Sequence, residues 1–97
     1  MTNNPITKKR LPKVITIVDT IQADSLSGRY IDRVVRFEWR FPTTKVKAMV
    51  TGAIREVHHD GNGTVYINLI PHDADEQDGY DKEEFAVGRD TMIEVIE

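Results

Sequence analysis

The sequence predicts an all-β protein, a small barrel or curled antiparallel sheet of about five strands with at most one short helical turn. Three observations carry this. Val65, Ile67 and Leu69 alternate with Thr64, Tyr66 and Asn68, which at two residues per repeat puts the aliphatic side chains on one face. Asp60-Gly61-Asn62-Gly63 separates that run from a second β-patterned run, and its Asp-Gly and Asn-Gly steps suit the positive φ angles of a hairpin turn. No segment shows a sustained period of three to four residues, so no long helix is expected.

The elements follow in order. Residues 14–21 are rich in β-branched side chains and free of Gly and Pro, so they form a first strand with Asp19 at its end or edge. Residues 22–30 read as a loop in which Asp24 and Ser25 cap a single helical turn that Gly28 stops. Over residues 31–41, Ile31, Val35, Phe37, Trp39 and Phe41 lie on one side, and Asp32, Arg36, Glu38 and Arg40 on the other. The aromatic side belongs in the core rather than on a binding platform. Pro42-Thr43-Thr44 makes a turn. In the following arm Val46, Ala48 and Val50 share a face, but Ile54 and Val57 cannot both keep one parity, so a bulge or sharp bend is expected at Gly52. Pro71 ends the next strand, and residues 72–84 form a long acidic loop turning at Gly79. Phe85 and Val87 are apolar again, Gly88-Arg89-Asp90 turns the chain, and a last strand at 92–96 points Ile93 and Val95 inward.

Ninety-seven residues make one domain. It is expected to span residues 14–97 behind a flexible basic tail at 1–13, where Lys8, Lys9 and Arg10 cluster. The absence of cysteine excludes disulfides, thiolate metal sites and cysteine nucleophiles. No apolar run is long enough for a membrane span or a secretory leader, and the expected setting is cytoplasmic. Charge is uneven along the chain. Residues 1–59 carry 11 Lys/Arg and 5 Asp/Glu, whereas residues 60–97 carry 2 and 11, so a basic surface can coexist with the net charge of −3.

Four constellations bear on chemistry. His58, His59 and His72 with Asp60 and Asp73 contain metal-ligand types, but His58 and His59 should point to opposite faces of a strand, and no metal is assigned. Asp73, Asp75, Glu76, Asp78, Asp81, Glu83 and Glu84 form an acidic loop suited to a basic partner; with Gly79 as the sixth position of a calcium loop, Phe85 would stand where the bidentate Glu belongs. Arg33, Arg36, Arg40, Lys45, Lys47 and Arg55 fall on two adjoining strands and can build a basic patch for phosphate, unless cross-strand pairing with carboxylates neutralises them. Ser25 and Ser27 lack the surroundings of a nucleophile, and no paired carboxylates stand at catalytic spacing, so no catalytic residue and no cofactor are assigned.

Asp24-Ser25-Leu26-Ser27-Gly28-Arg29-Tyr30-Ile31, Val50-Thr51-Gly52-Ala53-Ile54-Arg55-Glu56-Val57 and Asp90-Thr91-Met92-Ile93-Glu94-Val95 resemble the opening, the bent second strand and the closing strand of SH3-like small β-barrels such as KOW and Tudor modules. The resemblance runs over residues 14–96 and implies a fold that hosts nucleic-acid binders, peptide binders and scaffolding parts. The size is similar to that of bacterial and phage accessory proteins. Such barrels expose aromatics on loops; here Tyr80 stands alone inside the acidic loop, so an aromatic groove is not expected. The leading expectation is a non-enzymatic adaptor acting through protein–protein contacts. The alternative is a nucleic-acid-binding accessory protein using the basic strand face. Edge strands also offer a route to homo-oligomers.

Overall fold

Backbone pairing converts the two-residue periods into one antiparallel sheet. The computed structural model describes residues 16–72 and 81–96, and within these the strands are β1 (Ile17–Gln22), β2 (Val34–Arg40), β3 (Lys47–His59), β4 (Thr64–Ile70), β5 (Glu83–Gly88) and β6 (Met92–Ile96). The sheet order is β1-β6-β2-β3-β4-β5, with every neighbour antiparallel. Two lone 3-10 turns, Ala23–Ser25 and Gly28–Tyr30, join β1 to β2 where one helical turn was expected.

Six strands are formed among the described residues, in keeping with the expected all-β sheet of about five. The added one is β5, whose Glu83 and Glu84 disguise its start as the end of the acidic loop. It forms because β4 has a second edge of peptide groups that need partners, and residues 83–88 pair with it from Leu69 to Thr64. The sheet is curled but open. In a flat sheet β5 and β6 would stand four strand spacings apart, roughly 19 Å. The four steps from Gly88 to Met92 reach only about 14 Å, so the sheet must curve to bring the two together. Its ends, β1 and β5, remain unpaired with each other, so closure into a barrel is not reached.

The core lies inside the curl. Val35 and Phe37 of β2, Ile54 of β3, Val65, Ile67 and Leu69 of β4, Val87 of β5, and Ile93 and Val95 of β6 are buried, as their shared parity along each strand requires. Ala23 and Leu26 cover one end from the 3-10 segment. Ile31 and Asp32, expected within the second strand, precede it, and Asp32 adopts φ 74° as the chain turns into β2.

The parity conflict in β3 is resolved, but not at Gly52. Ile54 pairs with Leu69 and Glu56 with Asn68, so Arg55 is the extra residue of a bulge. Gly52 stays in register opposite Val35, and it is glycine for a different reason. A Cβ there would lie 2.9 Å from the Ile70 carbonyl oxygen and 3.1 Å from the Leu69 Cβ. At the hairpin only Gly63 takes a positive φ, 92°, while the Asp60 side chain accepts the Asn62 amide at 2.8 Å and holds the turn.

Candidate functional site

The feature that stands out is a groove of about 670 Å³ at the C-terminal end of β2, lined by Glu38, Trp39, Arg40 and Pro42 on one side and Ala86, Val87, Thr91 and Met92 on the other. It exists because β2 outruns its neighbour. The β2–β6 ladder ends at Arg36–Glu94, whereas the β2–β3 ladder continues to Arg40–Lys47. Trp39 therefore has core on one flank only. It is half-buried, its ring edge-on to Phe85 at 5.1 Å, with Phe37 also edge-on to Phe85 at 5.8 Å.

Hydrogen-bond parity aims backbone groups at this groove from both sides. Phe41 N–H donates to the Val46 carbonyl, so Phe41–Val46 is a hydrogen-bonded pair and the odd residues of β2 bond to β3. The even residues face the other way, and beyond Arg36 they have no β6 residue paired with them, which leaves Glu38 and Arg40 at the rim. On β5, Arg89 N–H donates to the Gly63 carbonyl, so the odd residues bond to β4; Glu84 and Ala86 present their N–H and C=O groups, and Gly88 its N–H, to an edge that no other described strand covers, while the Gly88 carbonyl accepts Thr91 N–H.

Much of the apolar exposure lies at the same end. Phe41 (46%), Val46 (56%) and Met49 (56%) of the β2–β3 hairpin are exposed, as is Met92 (50%) in the groove, while Ile17 and Val18 are exposed on β1. Phe41 thus departs from the expectation that the aromatic side of β2 is all core, while Trp39 packs against the core on one flank and lines the slot on the other. The parity assignment was right for Phe37, but the strand projects past the sheet that would cover its end. The signal was present in Pro42, which stops the strand just after Phe41.

The six basic candidates divide. Arg36 places Nε and Nη2 each 2.7 Å from one Glu94 oxygen, Arg55 lies 3.2 Å from Asp32, and Lys47 lies 3.6 Å from Glu38. Arg33, Arg40 and Lys45 have no carboxylate within salt-bridge distance among the described residues. Arg40 stands directly opposite Lys47, and Lys45 follows in the turn with φ 65°, so these three cluster at the hairpin end while Arg33 and Arg55 lie at the other end of β2.

Of the acidic candidates, Asp73, Asp75, Glu76 and Asp78 lie outside the described residues; Asp81, Glu83 and Glu84 are exposed at the start of β5. Beside them Lys82 donates to Glu56 Oε2 at 2.6 Å. This hydrogen bond and the lysine charge, helped by Arg55 and opposed by slight desolvation, hold the Glu56 carboxyl below its ordinary value of 4.5. His58 and His59 do point apart: His58 lies against Tyr66 with centroids 5.8 Å apart, while His59 Nε2 lies 2.8 Å from the Leu26 carbonyl. Among the described residues no three metal-ligating side chains converge.

Fold and groove together define an open, curled β-domain with an apolar slot beside a free sheet edge. No protein-family model matches the chain, nor does any curated protein or solved structure. Among the described residues no helix is long and apolar enough to cross a membrane.

Proposed function

We propose that this protein is a non-enzymatic binding module that works through protein–protein contacts made by the β2–β3 hairpin end and the adjoining groove. The observation that carries the reading is the exposure of Phe41, Val46 and Met49 on the β2–β3 hairpin, with Met92 exposed in the adjoining slot, since clustered apolar exposure on a small domain marks an interaction surface. The SH3-like reading of the fold is supported by the β2–β5 meander and the return of β6 beside β2. The test is site-specific photo-crosslinking from Val46 in a nuclease-treated native extract, compared with crosslinking from Gln22 on the β1 side. A protein captured from Val46 but not from Gln22, and lost when Met49→Glu is added, supports the reading; identical capture from both sites refutes it.

A second reading, nucleic-acid binding, is favoured by one observation: Arg40, Lys45 and Lys47 cluster next to exposed Phe41. It requires oligonucleotide binding that weakens steeply with salt. The absence of any gel shift at about 50 mM salt eliminates it.

A further inference from the structure

We propose that the groove takes an extended acidic peptide that adds as a strand to the free edge of β5. One of its apolar side chains seats on Trp39, and its carboxylates lie at the Arg40 end. The proposal rests on the protein-contact reading and names the kind of partner.

Three features lead to it. The first is the state of the two sheet edges. Proteins guard exposed edges with bulges, charges or proline, and β1 is guarded by the irregularity at Val18 and by Asp19. Among the described residues the far half of β5 has no such guard. Ala86 has a small side chain and directs both its N–H and C=O outward, and Gly88 adds its N–H, where an added strand would bond them; the Gly88 carbonyl is held by Thr91 N–H. The second is the slot itself. Beside that edge it offers the half-buried Trp39 with Pro42 and Met92, an apolar seat for one side chain of the added strand. The third is charge. At the Gly88 end the slot is bordered by Arg40, with Lys45 and Lys47 beside it and Glu38 and Asp90 against them, whereas Asp81, Glu83 and Glu84 cluster at the start of β5. This polarity favours carboxylates at the Arg40 end and opposes them next to Glu83, so it sets the direction of the incoming chain.

Trp39 is the single tryptophan, so its emission reports on the slot directly. The test pans displayed random decapeptides against the full chain, then measures the enriched peptides by Trp39 fluorescence and amide hydrogen exchange. The expected result is peptides with alternating apolar residues and Asp or Glu towards one end that shift Trp39 emission and protect the Ala86 amide. Ala86→Pro removes an N–H that is not part of the β4 ladder, and it should weaken binding at least tenfold, as should Arg40→Glu. If Ala86→Pro fails to fold, Arg40→Glu and the exchange data decide.

Enriched peptides that leave Trp39 and Ala86 unmoved would overturn the slot assignment while leaving the protein-contact reading standing. No enrichment, a basic consensus, or a Trp39 shift that appears only with oligonucleotide would also overturn it. So would a shift that tracks self-association in sedimentation, because the occupant would then be a second copy. Identical crosslinking from Val46 and Gln22 would instead remove the broader reading.

Discussion

Replacing Gly52 by alanine tests the packing of β3 against β4 more sharply than any core truncation. The added Cβ would stand 2.9 Å from the Ile70 carbonyl oxygen, with the Leu69 Cβ at 3.1 Å and Cδ1 at 3.3 Å. Carbon and oxygen on adjacent strands ordinarily stay about 3.3 Å or more apart, so the strands must separate by several tenths of an ångström at a buried point of the sheet. The obstacle is backbone, which cannot rotate away. Overpacking of this kind costs about 1–3 kcal/mol, and the loss of glycine's unfolded-state freedom returns about 0.4–1 kcal/mol. The net is a destabilisation of about 1–2 kcal/mol, which for a domain of this size lowers the melting temperature by roughly 5–15 °C. Gly28→Ala is the control, because nothing lies within 4 Å of its Cβ position and its φ is ordinary; it should hold or slightly raise the melting temperature. Thermal unfolding followed by circular dichroism reads both. A Gly52→Ala variant melting at or above the parent would refute the close-approach explanation.

Two further outcomes are expected. The Glu56 carboxyl is held down mainly by the hydrogen bond from Lys82 and then by its charge. A depressed folded-state value stabilises the protein above the unfolded value, and the effect is lost as pH falls through the folded one. The parent should therefore exceed Lys82→Ala in stability near about pH 7, and the difference should fade as pH drops below 4.5. NMR titration should show Glu56 returning towards its ordinary value in the variant, and unchanged titration would contradict the pairing. Lys45 adopts φ 65° in the β2–β3 turn. Relieving about 1–2 kcal/mol of left-handed strain against about 0.5–1 kcal/mol of added unfolded-state freedom, Lys45→Gly should raise stability in urea by roughly 0.5–1 kcal/mol; a loss of stability would show that the turn is not strained there.

Residues whose position follows from local rules were legible in advance. The hairpin at Asp60 to Gly63, the inward set Val65, Ile67 and Leu69, the end of β4 at Pro71 and the opposed directions of His58 and His59 all follow from turn chemistry and parity. The parity conflict between Ile54 and Val57 announced a bulge, but glycine drew the assignment to position 52. A bulge can be made by any residue, here Arg55, whereas glycine answers to close approach. β5 was hidden because its charge pattern is that of a loop, and only the unsatisfied edge of β4 makes it a strand.

The chain by itself determined its β character, the parity of its core and the absence of thiol chemistry, because these depend on near neighbours in sequence and on composition. Only the tertiary structure decided which strands end early. That Trp39 and Phe41 project past β6, that Arg36 is held by Glu94 while Arg40 stands opposite Lys47, and that β5 keeps a free edge beside a slot are matters of strand order and ladder length. They arise from pairings between residues as far apart as Arg36 and Glu94, and no local pattern specifies where two such ladders stop.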